Sequence, residues 1–240
     1  MIILFTDFGT TDPYIGQMKA VLAQAAPTEM VIDLFHHVPN FDIRAAAYLL
    51  PAYINEFPEG SVFVCVVDPG VGGDRDAIVV EADGRWFVGP DNGLFSILIR
   101  RAVNKRCWKP GGLSESISAT FHGRDVFAPV AAQIARGEML EMCEVSCCGS
   151  SDEWPDDYPC IVHIDHFGNL VTGYRYASLS EQVTVMVNVH MIKKAHTFSD
   201  VEGGEAFYYC NSNGLLEIAV NKGSAAFLFG ARTGDKVGIQ

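Results

Sequence analysis

The sequence predicts an α/β amino-terminal domain with a largely parallel central sheet, followed by a smaller all-β, barrel-like carboxy-terminal domain. In the first half, short apolar segments alternate with amphipathic helical patterns, as in strand–helix–strand units. In the second half, short β-like segments are separated by Gly and Asn turns, and an acidic, turn-forming stretch lies between the halves. We therefore predict domains at residues 1–145 and 159–240, joined by a linker at residues 146–158.

The elements of the first half follow from the spacing of their apolar residues. The predicted strands cover residues 2–5, 30–35, 61–67, 77–82 and 85–88. Asp83-Gly84 is a strong signal for a two-residue hairpin between the last two strands. A first helix opens at Pro13, and Pro51 predicts a kink in the second. The helices after the first cover residues 43–57, 92–103 and 125–136.

The elements of the second half are short and β-like, and no convincing helix is predicted there. Their spacing is typical of a small all-β domain, a barrel or sandwich of about eighty residues. The predicted strands cover residues 160–164, 183–189, 206–209, 215–220 and 225–229.

Composition and charge exclude several classes of partner. The chain has 240 residues, 49% of them hydrophobic, which is enough for a sizeable core. Its net charge of −12 argues against nucleic acid and anionic membranes, which favour basic surfaces. No apolar run is long enough to span a bilayer, and residues 1–5 lack the length and basic flank of a signal peptide. We therefore expect a cytoplasmic protein with neither a nucleic-acid nor a membrane partner.

The seven cysteines predict thiols in a reducing compartment. Their number is odd, their density is low, and Cys65 lies within an apolar strand. A group of candidate metal ligands comprises Cys143, Cys147, Cys148, His163 and His166. The C-x3-C-C spacing within this group matches no common zinc pattern. Buried or surface thiols are therefore expected, and no metal ligand is predicted.

The segment Asp68-Pro-Gly-Val-Gly-Gly-Asp-Arg75 follows the third predicted strand and is the most informative stretch of the chain. A carboxylate ends the strand, and a glycine-rich turn brings back an arginine seven residues later. Asp7 ends the first strand in a similar way. Because ligands of open α/β sheets bind at the carboxyl ends of strands, Asp7 and Asp68 are expected to converge on one crevice. A plain turn at Asp68 and a cap at Asp7 are the alternatives.

Two further segments carry polar side chains suited to a ligand site. In Thr120-Phe-His-Gly-Arg-Asp125, His122 is a candidate general base or hydrogen-bonding partner for a reacting water, with a structural role as the alternative. In Asp165-His-Phe-Gly-Asn169, the carboxylate, ring and amide suit a charged, heterocyclic ligand, although a β-turn alone would also explain them. The sequence lacks the motifs of P-loop kinases, dinucleotide oxidoreductases, serine hydrolases and zinc peptidases.

Six segments in sequence order resemble the S-adenosylmethionine (SAM) hydroxide adenosyltransferases, or SAM hydrolases, which are relatives of the fluorinase and chlorinase. The resemblance spans nearly the whole chain. The segments are Phe5-Thr-Asp-Phe-Gly-Thr-Thr-Asp12, Val67-Asp-Pro-Gly-Val-Gly72 with Arg75, Gly89-Pro-Asp-Asn-Gly-Leu94, Thr120-Phe-His-Gly-Arg-Asp125, Ile164-Asp-His-Phe-Gly-Asn-Leu170 and Asn211-Ser-Asn-Gly-Leu-Leu-Glu-Ile-Ala-Val-Asn221.

The resemblance implies an amino-terminal α/β domain, a carboxy-terminal β-barrel and a homotrimer. The active sites would lie between the first domain of one subunit and the second domain of its neighbour. The implied reaction is in-line attack of water or hydroxide at the ribose C5′ of SAM, which releases L-methionine from the sulfonium and forms adenosine. No metal and no redox cofactor are implied.

The resemblance also implies roles for individual residues. Asp68, Arg75 and His122 match the family's water-activating triad. In that triad, the carboxylate and the imidazole would polarise or deprotonate the water, and the arginine would keep the carboxylate charged. Asp7 matches the residue that accepts hydrogen bonds from both ribose hydroxyls, and Asp165 fits the methionine ammonium site.

The remaining matches concern the two ends of the substrate. Ser212 fits the amino-acid end, where Asn213 stands at a position that is arginine in the fluorinase. Asn169 fits adenine recognition. The other implied contacts are backbone groups near Asn221 and Lys222, which face the base, and aromatic walls of the adenosine site at Phe41 and Phe121.

Two alternatives to hydrolysis are a SAM-dependent halogenase of the same fold and a SAM- or adenosine-binding module without turnover. The fluorinase carries tyrosine at the positions of Asp68 and His122 and serine at that of Gly123, whereas this chain has the hydrolytic residues. A binding module would have no use for an intact water-activating set. The resemblance therefore favours hydrolysis of SAM.

Overall fold

The computed structural model describes residues 1–112, 117–138, 141–147 and 153–240. Residues 148–152 of the predicted linker, including Cys148, lie outside the described residues. No helix in the described ranges is long and apolar enough to cross a membrane.

The chain divides into two compact units. Unit 1 comprises Met1–Leu50 and Ile54–Glu153, and unit 2 comprises Pro51–Tyr53 and Trp154–Gln240. Within the described residues, each unit contains one seven-stranded sheet.

The sheet of unit 1 contains two strands whose residues are all buried. Its strands are β1 (Ile2–Thr6), β2 (Val31–Phe35), β3 (Val62–Val66), β4 (Ala77–Ala82), β5 (Arg85–Pro90), β6 (Lys105–Pro110) and β7 (Met142–Val145). They lie in the order β2-β1-β3-β5-β4-β6-β7. Every residue of β1 and β3 is buried, as expected for apolar strands that are covered on both faces.

The sheet of unit 1 is only half parallel, so the prediction of a largely parallel sheet is wrong. β1 pairs in parallel with β2 and β3, and β3 with β5, but the described pairs β4–β5, β4–β6 and β6–β7 are antiparallel. Asp83 and Gly84, both at positive φ, form the predicted hairpin turn and reverse the chain between β4 and β5. β6 and β7 were not predicted because charged or proline residues interrupt their apolar pattern.

The described residues before β7 include four α-helices. The second, whose last residues Pro51–Tyr53 belong to unit 2, and the third are shorter than predicted. The four helices are α1 (Tyr14–Ala25), α2 (Ile43–Tyr53), α3 (Ser96–Arg101) and α4 (Ala128–Ala135). Asp42 caps α2 by accepting a hydrogen bond from the Ala45 N–H at 2.8 Å, and α2 contains Pro51. A π-helical turn, Gly123–Phe127, leads directly into α4. The buried core of unit 1 joins α1 and α4 to β1 and β3.

The sheet of unit 2 is nearly closed, in agreement with the predicted barrel-like domain. Its strands are β8 (Tyr158–Ile164), β9 (Leu170–Arg175), β10 (Val185–Val187), β11 (His190–Lys194), β12 (Ala206–Cys210), β13 (Leu215–Val220) and β14 (Val237–Ile239). They lie in the order β14-β10-β11-β12-β13-β9-β8. The edges approach each other, because Cys160 forms a bridge with Lys236 and the Ile161 N–H donates to the Asp235 carbonyl at 2.9 Å.

The predicted strand at residues 225–229 is instead a short helix, α5 (Ala225–Phe229). The Ser224 hydroxyl accepts a hydrogen bond from the Phe227 N–H at 3.1 Å and caps its first turn. Gly230, at φ +59°, ends the helix in the left-handed conformation. Five consecutive apolar residues fit a buried strand as well as a helical turn, so periodicity could not separate the two.

The glycine-rich turn after Asp68 contains Gly72, and substitution of this glycine tests how tightly the fold constrains the turn. Gly72 has φ +81°, and a Cβ there would lie 2.3 Å from the Ala119 carbonyl oxygen. Gly60 has a similar φ of +79° with open space around the position of its Cβ. We expect Gly72→Ala to lower the free energy of unfolding by roughly 3 kcal/mol, and the control Gly60→Ala by about 1 kcal/mol. Chemical denaturation measures both. Equal losses would show that the contact with Ala119 does not constrain this turn.

Candidate active site

The pairing of β1 with β3 brings two acidic residues to one edge of the sheet of unit 1. The strands are parallel neighbours with Thr6 opposite Val66, so Asp7 and Asp68 follow the same ends of both. The Asp7 N–H donates to the Val66 carbonyl at 3.3 Å. Burial raises the pKa of the Asp7 carboxyl, and the nearby charge of Asp68 adds to this effect. The two carboxylates thus converge, as expected from the strand ends.

Asp7 also fixes the backbone of an exposed aromatic residue. Its Oδ2 accepts a hydrogen bond from the Phe41 N–H at 2.9 Å. Phe41 has φ +64°, an unfavourable conformation for a residue with a Cβ, and 71% of the residue is exposed. A strained, exposed phenylalanine beside a carboxylate is a typical feature of a ligand site.

Asp68 and Arg75 form a two-point ion pair. The Arg75 Nε donates to Asp68 Oδ1 at 2.9 Å, and an Arg75 terminal nitrogen donates to Oδ2. Only 3% of the Asp68 side chain and 11% of the Arg75 side chain are exposed. The glycine-rich turn between them makes this geometry possible, and the guanidinium also lies 5.3 Å from the centre of the Phe127 ring.

The same Arg75 nitrogen contacts His122 and determines which ring nitrogen carries the proton. It lies 2.8 Å from His122 Nδ1. Because a guanidinium has only donors, Nδ1 must accept, and the proton of the neutral ring lies on Nε2. Burial, and then the charge of Arg75, lower the pKa of His122 and favour this neutral form. Of the two roles considered for His122, this arrangement favours a hydrogen-bond donor over a general base.

Asn92 supports the backbone next to Asp68, although the sequence suggested no role for it. Its side-chain amide donates to the Val67 carbonyl at 2.9 Å, and its Oδ1 accepts from the Leu94 N–H at 3.2 Å. The amide thereby holds the residue that precedes Asp68. The available signal was its place in Gly89-Pro-Asp-Asn-Gly-Leu94 after β5.

Phe121 belongs to an aromatic cluster beside His122. Its ring centre lies 6.0 Å from that of Phe8 and 5.4 Å from that of Tyr14, and 9% of the residue is exposed. A Cβ at Gly123 would lie 3.3 Å from both the Met18 sulfur and the Phe121 ring. The cluster therefore leaves little room for a side chain at position 123.

Unit 2 contains a cavity of about 890 Å³. It is lined by five of the residues predicted to bind substrate, namely Asp165, Asn169, Ser212, Asn213 and Lys222. Asn221 is committed elsewhere in the unit, since its amide donates to the Val201 carbonyl at 2.7 Å and its own carbonyl accepts from the Gly204 N–H at 2.8 Å. Lys222, at φ +58°, follows it in a strained backbone conformation.

Asp165 and Asn169 build the turn on which they lie. Asp165 Oδ1 accepts from the N–H groups of Phe167 and Asn169 at 2.9 and 2.8 Å. Its Oδ2 accepts from the Asn169 side-chain amide at 2.8 Å. Oδ2 can accept a further bond, so the β-turn and ligand-binding interpretations are compatible here. The exposed Phe167 ring adds an apolar wall to the cavity.

The prediction of thiols is wrong for two cysteines. Cys107 of β6 and Cys147 form a disulfide, so Cys147 cannot serve as a thiolate ligand. Cys148 lies outside the described residues. Among the described cysteines, Cys65 and Cys160 are buried thiols, and Cys143 and Cys210 are exposed ones. The pair is 40 residues apart in sequence, and spacing alone gave no indication of it.

The contact between His122 and Arg75 predicts how His122 titrates. We expect its pKa to lie below 6.5, to rise in Arg75→Met and to fall in Asp68→Asn, because the arginine lowers it and the aspartate raises it. The neutral ring, and activity that depends on it, would then be retained above this lowered pKa and lost below it. NMR titration of the ring protons measures these shifts. Lys109→Met, which removes a cation paired with Asp76, is the control. If the pKa of His122 moved in the same direction in Arg75→Met and in Asp68→Asn, the opposite effects assigned to the arginine and the aspartate would be contradicted.

Both units match one family along their length. Models of the SAM hydroxide adenosyltransferase N-terminal and C-terminal domains match residues 2–144 and 159–238. The chain is 37% identical to the (R)-S-adenosyl-L-methionine hydrolase of Thermus thermophilus over 97% of this chain and 96% of that protein. It is 24% identical to the fluorinase of Nocardia brasiliensis over 100% of this chain and 96% of that protein. A solved structure of a conserved Thermotoga maritima protein, 31% identical, matches with a TM-score of 0.90 over 100% of this chain and 99% of that one. The chain belongs to the SAM hydroxide adenosyltransferase family.

Proposed function

We propose that this protein hydrolyses S-adenosyl-L-methionine to adenosine and L-methionine, and that Asp68, Arg75 and His122 position and activate the water. The observation that carries the proposal is the contact of one guanidinium with both a carboxylate and an imidazole at 2.8–2.9 Å. Hydrolysis is the activity named for the Thermus relative that matches nearly the full length of the chain. Because that name specifies the (R) form, we propose that this protein also accepts SAM with the (R)-sulfonium.

The chemistry requires little beyond a well-placed nucleophile. A sulfonium is already a good leaving group, so the barrier falls chiefly when a desolvated water is held in line with the C5′–S bond. The new bond joins the water oxygen to C5′, and the electron pair of the broken bond stays on sulfur, giving the neutral thioether of methionine. The attacking oxygen then loses one proton, which leaves adenosine with its 5′-hydroxyl.

The three side chains divide this work. The Nε2–H of His122 donates to a lone pair of the water and orients it. Asp68 accepts the departing proton on the lone pairs that its ion pair leaves open. Arg75 holds the carboxylate at two points, so that the carboxylate is in place when bond formation makes the water acidic enough to lose its proton.

The substrate-binding residues are assigned on the resemblance and on their positions within each unit. Asp7 accepts the ribose hydroxyls, and Phe41 and Phe121 wall the adenosine. In the cavity of unit 2, Asp165 binds the methionine ammonium and Asn169 the adenine. The remaining assignments are Ser212 and Asn213 at the amino-acid end and the backbone of Asn221 and Lys222 at the base.

A SAM-dependent halogenase is the second candidate, supported by the 24% identity to a fluorinase. Asp68 counts against it, because a carboxylate near the path of the nucleophile repels an incoming halide. Gly123 lacks the hydroxyl that the fluorinase has at this position. A module that binds SAM without turnover is the third candidate, and an assay for products separates all three.

The assembly and cellular location are further proposals. We propose domains at residues 1–145 and 159–240 with a linker at 146–158, and a homotrimer in which residues from two subunits contact one SAM. The expected partners are SAM, adenosine and other copies of this chain. A cytoplasmic location stays a prediction, and the Cys107–Cys147 disulfide weakens the argument for it from cysteine usage.

The purified protein should convert SAM to adenosine and methionine in the presence of a chelator, since a sulfonium needs no metal to leave. In labelled water, the label should enter the 5′-hydroxyl of adenosine, and mass spectrometry measures it. Excess chloride should give little 5′-chloro-5′-deoxyadenosine. A predominant chlorinated product would indicate a halogenase, and loss of activity in chelator that one divalent ion restores would contradict the metal-free mechanism.

Substitutions should separate water activation from substrate binding. We expect Asp68→Asn and His122→Ala to lower kcat by roughly a hundredfold or more with little effect on SAM affinity, and Asp7→Ala to weaken affinity instead. His122→Gln keeps an N–H donor, so it should retain more activity than His122→Ala. Asp33→Asn, at an exposed ion pair with Lys19, is the control. Near-normal turnover in His122→Ala would exclude His122 from the triad.

The proposed shared site can be tested by mixing inactive variants. Asp68→Asn and Asp165→Ala proteins should each lack activity, and together they should regain part of it after subunit exchange, because some interfaces then pair two intact halves. Each variant taken alone through the same exchange is the control. A fully active monomer by light scattering would contradict the shared site.

A further inference from the structure

Glu217 forms a buried polar network in the wall of the cavity of unit 2. It lies in β13 directly opposite Tyr209 in β12, and only 6% of the residue is exposed. One carboxylate oxygen accepts from the Tyr209 hydroxyl, and the other accepts from the Asn211 side-chain amide at 2.9 Å. The sequence signal was a single acidic residue within the apolar strand Leu-Leu-Glu-Ile-Ala-Val. A buried carboxylate without compensating contacts would be costly, so these two hydrogen bonds matter for the strand.

Asn211 connects this network to the turn between β12 and β13. Its Oδ1 accepts from the N–H groups of Asn213 and Leu215 at 3.0 and 2.9 Å. With Oδ1 committed to the turn, the NH₂ group of the amide must point towards Glu217. The turn is closed by the Asn211 N–H, which donates to the Leu215 carbonyl at 3.0 Å, and Gly214 adopts φ +78°. The orientation of the Asn211 amide, which holds the side-chain part of this turn, therefore depends on the acceptor that Glu217 provides.

The turn held in this way presents two side chains to the cavity. Ser212 and Asn213 both line it, as do Asn211 and Glu217 themselves. Ser212 and Asn213 are the residues assigned above to the amino-acid end of SAM. A small rotation of the Asn211 amide would move both, although neither touches Glu217 through any described hydrogen bond.

We propose that Glu217 is a positioning residue that acts through Asn211 to hold Ser212 and Asn213 against the amino-acid end of the substrate. The proposal rests on the proposed function. Within it, Glu217 sets the affinity for the methionine moiety and leaves adenosine recognition to other residues. Tyr209 holds the second carboxylate oxygen and thereby fixes the rotation of the carboxylate.

The test compares ligands with and without an amino-acid end. In Glu217→Ala we expect the KM for SAM and the Kd for methionine to rise roughly tenfold, while kcat changes less than about threefold. The Kd for adenosine, measured by calorimetry, should stay unchanged. Glu217→Gln should restore most of the affinity, since its carbonyl can accept from Asn211 and its amide can donate to Tyr209. Glu205→Ala, which removes a glutamate paired with Lys193, is the matched control.

Asn211→Asp provides a second variant in case Glu217→Ala does not fold. An aspartate can still accept from Asn213 and Leu215, but it replaces the donor towards Glu217 with a second carboxylate. The same selective loss of SAM and methionine affinity is expected.

Three results would overturn the proposal. An equal loss of adenosine affinity would mean that Glu217 only supports the unit as a whole. A Glu217→Gln variant as weak as Glu217→Ala would mean that its charge acts directly on the ligand. Unchanged affinities in Glu217→Ala would exclude any role in binding. If the unsubstituted protein did not hydrolyse SAM, the proposed function itself would fail, which is a separate result.

Discussion

The part of the site where we propose that water attacks the substrate depends on the Arg75 guanidinium. Its Nε and one terminal nitrogen bind the two oxygens of the Asp68 carboxylate. The same terminal nitrogen also contacts His122 Nδ1. A lysine in this position could not do both, because an ammonium lacks the planar arrangement of donors. The orientation of the carboxylate, the tautomer of the imidazole and the separation of the two groups are thus set by one side chain. Its own position depends on the glycine-rich turn behind Asp68 and on the Phe127 ring.

Unit 2 uses a different principle, in which the side chains that close a turn also line the cavity. Asp165 and Asn211 each accept two backbone N–H groups and hold their turns in fixed conformations. Because those contacts use only part of their hydrogen-bonding capacity, polar groups remain for a ligand. Local turn chemistry and ligand chemistry therefore involve the same atoms. This overlap explains why the sequence alone could not separate a β-turn from a binding site at Asp165.

Much of the architecture was predictable, because apolar periodicity reports directly on local structure. The buried runs of β1 and β3 and the hairpin at Asp83-Gly84 are visible in the sequence. The antiparallel half of the first sheet was not, since β6 gains its place by pairing with β4, and β7 by pairing with β6, and not from their own composition. α5 was missed because five apolar residues have no distinguishing period. The convergence of Asp7 and Asp68 followed from parallel strands. The tautomer of His122 depends on an arginine 47 residues away, and the role of Asn211 depends on Glu217 in the neighbouring strand β13. Neither could be predicted from the residues next to them in sequence.

The glycine at position 123 has a consequence for anyone who would redesign this protein to use another nucleophile. Met18 and the Phe121 ring already approach the position of the missing Cβ to within 3.3 Å. A serine introduced there would meet a filled space before its hydroxyl could act, and one of the two neighbours would have to give way first. A smaller residue at position 18 or 121 would supply that space and let position 123 acquire a donor without moving its neighbours.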